Sequence, residues 1–192
     1  DLFSETGFDM MYIISKLENA LDEKDMYHRI SEKIKQEQFD KIEILAYTSE
    51  YKDKFRELNY EWLNKYFTIE NEDKVLLLNP EEEILAKGGE IIFALYKGDV
   101  VGTAALLKYS DGEYELAKMA VTEKVKGKQI GKKLAEEIIR LAKEKNAKIL
   151  FLETNLKLIA AMKLYKKLGF ILTENHNSKY ARSTVKMELR LN

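Results

Sequence analysis

Residues 124–134 read KVKGKQIGKKL, with five lysines around two glycines. The preceding YELAKMAV (114–121) is typical of a strand, and apolar side chains recur at helical spacing from Ile130 to Leu141. Backbone N–H groups at a helix start bind anions, and glycine lets the backbone approach one closely. The stretch therefore predicts a strand–loop–helix unit whose loop binds a diphosphate, with a solvated charged turn as the simpler alternative.

Two common phosphate-binding motifs do not fit this loop. The nucleoside triphosphate loop has four residues between its glycines and then Lys-Ser/Thr. Here three residues separate Gly127 from Gly131, and Lys132 is followed by Lys133. The dinucleotide fingerprint G-x-G-x-x-G is absent as well. The sequence argues against ATP or NAD held by these devices.

Composition limits the classes of function. The 192 residues are 45% hydrophobic, enough for one sizeable core, and 32 basic against 33 acidic residues give a net charge of −1. A neutral chain is a poor bulk binder of nucleic acid. There is no cysteine, and two histidines, His28 and His176, are too few for a metal cluster, so we expect no metal. Without a membrane span or signal peptide in the sequence, we expect a soluble, cytoplasmic protein.

The chain falls into two parts. Apolar residues from Met11 to Leu21 and from Met26 to Ile34 predict two helices separated by a turn at LDEKD (21–25), followed by a linker at QEQFDK (36–41). Strands and helices alternate from Ile42 onward. We therefore expect a helical appendage and linker over 1–38 and a domain over 39–192.

The second part predicts a mixed α/β (α+β) fold. A strand at 41–47 precedes a helix that Ser49 caps and that runs to Phe67, and a short helix is expected after Pro80. A hairpin (91–96 and 100–109) leads through a turn to the strand 114–121. The remaining predicted elements are the helix from Ile130, a strand at 149–154, a helix that ends at Gly169, and two closing strands around Ile171 and 185–191.

These motifs resemble the GNAT family of N-acetyltransferases, whose loop pattern Arg/Gln-x-x-Gly-x-Gly/Ala follows a strand. The chain has Lys126-Gly127-Lys128-Gln129-Ile130-Gly131 after Met119-Ala120-Val121, and LYKKLGF (164–170) looks like the family's tyrosine-bearing helix end. Lys126 and Gln129 depart from the pattern. The resemblance covers 41–192 and implies a mostly antiparallel central sheet flanked by helices.

The resemblance also implies acetyl-CoA as cosubstrate and roles for individual residues. Tyr165 matches the family's general acid, and the alternative is a tyrosine that only packs in the core. Glu115 is a candidate general base, and the alternative is a residue that only faces solvent. Glu153 is a second candidate for the base. Asn155 either binds the pantetheine arm or caps a helix. The expected cofactor-binding residues are Met119, Ala120, Val121, Lys126, Gly127, Lys128, Gln129, Ile130, Gly131, Lys132, Asn155 and Tyr165.

The acceptor side is less defined. Candidate substrate residues are Trp62, Tyr66 and Phe67. The alternative is that these aromatic side chains only pack in the core. Arg182, beside Tyr180, is a candidate clamp for a carboxylate, against a surface arginine. We expect His176 to be solvated.

The first 38 residues resemble the helices that join a MarR-type regulator to a GNAT domain in fused proteins. No winged helix is present, so we expect no nucleic-acid binding by this chain, and apolar helices suggest a homodimer. The expected function is acetyl-CoA-dependent acetylation of an amine, either a small molecule or a lysine or N-terminal amine. The alternatives are a catalytically silent acyl-CoA sensor or regulatory module, and a dimerisation module without ligand.

Overall fold

A computed structural model describes residues 2–173 and 178–191, so His176 lies outside the described residues. The chain divides into a unit of residues 1–40 and a unit of residues 41–192. The first unit is one helix, α1 (Leu2–Asp40). In the part of the chain that the structure describes, no helix is long and apolar enough to cross a membrane.

The predicted turn at 21–25 and linker at 36–41 are wrong, because α1 runs through the first and continues to Asp40 within the second. LDEKD holds neither glycine nor proline, so nothing in it ends a helix. The apolar pattern misled because it changes face: at about 100° per residue, Leu21 and Ile30 lie roughly opposite each other. A change of face reads in sequence like a change of element.

The second unit is a seven-stranded sheet in the order β1-β2-β3-β4-β5-β7-β6, in which the β4–β5 pair alone is parallel. This confirms the mixed, mostly antiparallel sheet flanked by helices. Its elements are β1 (Ile42–Ala46), α2 (Lys52–Tyr66), α3 (Asn71–Leu78), β2 (Glu90–Tyr96), β3 (Asp99–Ser110), β4 (Glu113–Val121), α4 (Ile130–Glu144), β5 (Ile149–Thr154), α5 (Ile159–Lys167), β6 (Ile171–Thr173) and β7 (Val185–Arg190).

Two helix predictions need correction. Ser49 opens a short 3-10 turn and makes no side-chain cap, and Phe67 lies just past the end of α2. The helix expected after Pro80 is a single π-helical turn, Glu81–Leu85. The chain instead forms α3 ahead of it, where the side chains of Glu70 and Asp73 accept hydrogen bonds from each other's backbone N–H groups. Acidic residues three positions apart, Glu70 and Asp73, are the sequence signal for the start of this helix.

Helices pack on both faces of the sheet. Ile91 and Phe93 of β2, with Ala105 and Leu107 of β3, form a buried cluster with side chains of α2 and α3. On the other face Gly102 lies against Ile130 and Leu134 of α4, where an added Cβ would approach both side chains to 3.1 Å. In the sheet β4 lies between β3 and β5, and it carries one wall of the site described next.

Candidate active site

A cleft of about 620 Å³ opens where β4 and β5 part. The two strands pair only from Glu113 with Ile149 to Glu115 with Phe151, and no further pair joins them along the rest of their described length. Most of the predicted residues line this cleft: Trp62, Tyr66, Phe67, Glu115, Met119, Val121, Lys126, Gly127, Gln129, Ile130, Gly131, Lys132, Asn155, Tyr165 and Arg182. Ala120 is buried beside it, and neither its side chain nor that of Lys128 contributes to the lining.

The glycine–lysine loop forms one end of the cleft and leads directly into α4. Gly127 (φ 81°) and Gln129 (φ 62°) both adopt left-handed backbone conformations. Glycine does so without strain, whereas a residue with a side chain loses about 1–2 kcal/mol. Gln129, which departs from the family pattern, therefore keeps the loop shape at a cost in stability. The N-terminal N–H groups of α4 remain at the cleft, which suits an anion.

Two glutamates that sequence reasoning missed hold this loop in place. Glu61 of α2 accepts hydrogen bonds from the Thr122 hydroxyl (2.9 Å) and the Glu123 backbone N–H (3.3 Å). The Glu123 carboxylate in turn accepts one from the Tyr66 hydroxyl at 3.1 Å and pairs with Lys65 at 2.8 Å. Tyr66, a predicted substrate residue, thus supports the loop.

Tyr165 of α5 is buried at the cleft wall, 7% exposed, with its ring edge-on to Phe170 at 5.9 Å. Among the described residues its hydroxyl has no hydrogen-bond partner, although buried hydroxyl groups normally have one. Burial raises the pKa of the phenol above its ordinary value, so the group stays protonated. A neutral phenol without a partner is free to donate its proton to a ligand in the cleft.

Glu115 of β4 is a second buried polar group at the cleft wall, 5% exposed. Lys179 comes within 3.8 Å, and in the described part of the chain no group donates a hydrogen bond to the carboxylate. Burial raises the pKa of this carboxyl above its ordinary value, and the charge of Lys179 opposes the rise. Such a carboxylate is a stronger proton acceptor than an exposed one. Glu153, the alternative, accepts a hydrogen bond from Ser178.

Asn155 makes a turn after β5 and does not cap a helix. Its side-chain amide donates to the carbonyl of Arg182 at 2.7 Å and accepts from the backbone N–H of Lys157 at 2.9 Å. Helix α5 starts later, after Leu158. The N-cap interpretation is therefore wrong, while a role in binding the pantetheine arm stays a prediction.

A buried ionic cluster, formed by Asp73, Lys118, Tyr180 and Arg182, also lines the cleft. Arg182 donates from both terminal nitrogens to Asp73 at 2.7 Å and from one of them to Glu70 at 2.9 Å. Lys118 donates to Asp73 at 2.6 Å and to the Tyr180 hydroxyl at 2.9 Å. The fork of Arg182 is thus engaged within the protein. The predicted clamp for a substrate carboxylate would have to use its remaining donors.

The electrostatics of the cluster follow from two cations sharing one fully buried carboxylate. Burial alone would raise the pKa of Asp73, but the hydrogen bonds of Arg182 and the charge of Lys118 hold it below its ordinary value. Burial lowers the pKa of Lys118, and the ion pair with Asp73 opposes this.

The ring of Trp62 packs at tilted angles against Tyr66, with a centroid distance of 5.6 Å, and against Phe67, at 5.5 Å. All three line the cleft. In the described ranges, 2–173 and 178–191, no group of three or more His, Cys, Asp or Glu side chains is arranged to hold a metal ion.

The separation of β4 from β5 and the glycine–lysine loop at the start of α4 are the features to compare with known proteins. The profile of the acetyltransferase (GNAT) family matches residues 37–170, and the chain belongs to this family. An acetyltransferase of the GNAT family from Staphylococcus aureus Mu50 has a similar structure, with a TM-score of 0.72 at 26% identity over 79% of this chain and 99% of that chain.

Two further similarities are more limited. An acetyltransferase from Bacillus subtilis, solved in complex with CoA, shares the fold at a TM-score of 0.58 and 22% identity, over 79% of this chain and 99% of that one. N-acetylaspartate synthetase from Mus musculus is 37% identical over 78 residues, which are 40% of this chain and 26% of that protein. The match to this curated relative thus spans about a quarter of its length.

Proposed function

We propose that the chain transfers acetyl from acetyl-CoA directly to an amine. The observation that carries the proposal is that one cleft joins three features. The first is the loop Lys126–Gly131. The second is the buried hydroxyl of Tyr165, which lacks a hydrogen-bond partner in the described chain, and the third is the buried carboxylate of Glu115, to which no described group donates a hydrogen bond. Family membership supplies acetyl-CoA as the expected acetyl donor.

The loop suits the pyrophosphate of coenzyme A. Its backbone is open at Gly127, where no atom lies within 4 Å of an added Cβ, and α4 begins at Ile130. Lys126 and Lys132 at the cleft supply positive charge. The gap between β4 and β5 exposes strand edge to pair with the pantetheine arm, and we assign a backbone N–H of Met119 or Ala120 to the thioester carbonyl.

The chemistry divides between two residues. The nitrogen of the neutral amine attacks the thioester carbon, a C–N bond forms, and Glu115 takes one N–H proton, directly or through water. The C–S bond breaks and the thiolate takes the proton of Tyr165. Solvent then returns a proton from Glu115 to Tyr165, so the net products are the N-acetylated acceptor and free coenzyme A.

The acceptor class is the open part of the proposal. The similarity to N-acetylaspartate synthetase makes aspartate the first acceptor to try, and small amines, lysine side chains and N-terminal amines follow. In this scheme Trp62 and Phe67 contact the acceptor. Two predictions about the first part of the chain remain. One is the resemblance of 1–38 to the linker of MarR–GNAT fusions. The other is a homodimer, which a monomeric sedimentation mass would contradict.

The test is coenzyme A release across this panel of amines, with the acetylated product identified by mass. Tyr165→Phe should lower kcat by about 10²-fold while the Kd for acetyl-CoA changes less than about twofold. Tyr114→Phe is the matched control, since Tyr114 is also buried but does not line the cleft. Equal kcat for both variants would remove Tyr165 from the mechanism. Acetyl-CoA binding without release for any amine would favour the silent sensor.

A further inference from the structure

A bulge in β4 adopts a backbone conformation that is unusual for the residue it holds. Ala117 pairs with Ala105 of β3 and Ala120 pairs with Thr103, so Lys118 and Met119 together face a single residue of β3. Lys118 takes φ 50°, in the left-handed region where glycine is the usual bulge residue. Glycine would adopt this angle without strain. The backbone alone therefore gives no reason for a lysine here.

The side chain of Lys118 supplies a reason. It is 5% exposed, and its ammonium group bonds Asp73 at 2.6 Å and the Tyr180 hydroxyl at 2.9 Å. Asp73 is itself fixed by Arg182 and by the backbone N–H of Glu70 at 3.0 Å. The bulge is thereby tied to the start of α3 and to the segment before β7.

The bulge occupies a sensitive place in the cleft. The last residue of β4 that pairs with β5 is Glu115, and the bulge follows within the separated part of the strand. Lys118 comes immediately before Met119 and Ala120, whose backbone N–H groups are assigned above to the thioester carbonyl. A donor of this kind stabilises a developing oxyanion only if it is held in place before the reaction.

We propose that Lys118 is a positioning residue for acetyl transfer: its ion pair with Asp73 holds the β4 bulge so that the backbone at 119–120 is preorganised for the acetyl group. This inference rests on the proposed function and adds the device that fixes its oxyanion donor. Lys118 acts through the backbone and does not itself contact the reacting atoms.

A second lysine of this chain gives a matched control. Lys97, in the β2–β3 turn, also has a left-handed backbone (φ 55°) but is exposed and lies outside the cleft. Lys97→Gly and Lys118→Gly relieve the same backbone strain, and the second alone removes the ion pair. Any difference between the two variants therefore reports the side chain of Lys118.

The test measures amide hydrogen exchange and kinetics on the full chain. In Lys118→Gly, exchange at 119–121 should rise at least about tenfold while amides of β2 stay protected. The value of kcat should fall at least about tenfold with the Kd for acetyl-CoA within about twofold. Lys97→Gly should change neither, and Lys118→Arg, which keeps the cation, should recover part of kcat.

Unchanged exchange at 119–121 in Lys118→Gly would overturn the proposal, whether or not the wild type acetylates any amine. Loosened exchange with kcat unchanged would overturn it too, since the ion pair would then be purely structural. If the wild type shows no turnover, the proposed function fails by that result alone, and exchange still decides whether the ion pair holds the bulge. If Lys118→Gly does not fold, Lys118→Met, which keeps a long side chain and removes the cation that pairs with Asp73, must show the same local loosening.

Discussion

Two parts of the cleft lining, called here the loop end and the cluster, are built in opposite ways. The loop end consists of consecutive residues, Lys126–Gly131, and offers backbone N–H groups and lysine side chains to a ligand. The other part is the buried ionic cluster, whose members are far apart in sequence: Asp73 lies 45 positions from Lys118 and 109 from Arg182. The loop therefore depends on backbone shape, whereas the cluster depends on each charged side chain having its partners.

The cluster should show the largest loss of stability. Asp73→Asn leaves two buried cations without their shared carboxylate, and breaking a buried ion pair costs about 3–5 kcal/mol. Urea unfolding measures this loss. Glu72→Gln, at the exposed neighbouring position on α3, should stay within about 0.5 kcal/mol. A change below about 1 kcal/mol for Asp73→Asn would mean that the cluster is not the anchor inferred here.

Glu115, on the same strand as Lys118, should link activity to pH. Glu115→Gln should lower kcat/KM by about 10²-fold or more, because the proton acceptor is lost. The raised pKa means that the native state binds more protons than the unfolded state from about 4.3 up to the shifted value. Across that window wild-type stability should fall as pH rises, relative to the variant.

The linkage is measured by the unfolding free energies of both proteins as a function of pH, from about the ordinary glutamate pKa of 4.3 upward. The groups that act on Glu115 are Lys179, Glu153, Lys118 and Lys186. Glu113→Gln, on the same strand but outside the cleft, should follow the wild-type curve. A constant difference between wild type and Glu115→Gln would contradict the buried-carboxylate account.

The loop end should lose ligand binding without losing stability. Gly131→Asp places a negative charge at the expected pyrophosphate and should weaken acetyl-CoA binding at least about tenfold, measured by calorimetry. The fold has room, since an added Cβ meets only Leu164 at 3.7 Å, and an acidic residue suits the first turn of α4. Gly131→Ala separates size from charge. Unchanged affinity in Gly131→Asp would remove the loop from the binding site.

The smallest expected effect is a gain. Gln129→Gly relieves the left-handed strain but adds unfolded-state entropy, so it should raise unfolding free energy by roughly 0.5–1 kcal/mol. Lys128→Gly, at a position without a left-handed backbone, should lower stability. Equal effects for the two variants would show that Gln129 is not strained.

The sequence predicts the contiguous loop well and the dispersed ionic cluster poorly. The loop, β4 and α4 were predictable because strand alternation, glycine spacing and helical periodicity all lie within one contiguous stretch. Lys118, Asp73 and Tyr180 were not recognised, because each is an ordinary polar residue until the fold brings them together. The sequence indicates Arg182 as a candidate site residue, but its hydrogen bonds to Asp73 and Glu70 depend on the fold.

The errors in the helices have local physical reasons. In α1 the apolar face rotates at 21–25 without any residue that ends a helix, so the break in the apolar pattern has the same appearance in sequence as a turn. For α3, the sequence contains two signals for a helix start. Pro80 with the acidic run after it is the more conspicuous one, but the helix begins at the capping pair Glu70–Asp73. The positive φ of Lys118 arises from a bulge that requires the register of β3, which no local pattern encodes.

The most direct test of the account is the unfolding free energy with acetyl-CoA, with ATP as the control ligand. At 100-fold over its Kd, acetyl-CoA should add about 2.7 kcal/mol, ATP should add nothing comparable, and the tenfold or greater loss of affinity in Gly131→Asp should reduce the gain to about 1.4 kcal/mol or less. An equal shift with both ligands, or no shift with acetyl-CoA, would contradict the assignment of Lys126–Gly131 as a coenzyme A pyrophosphate site.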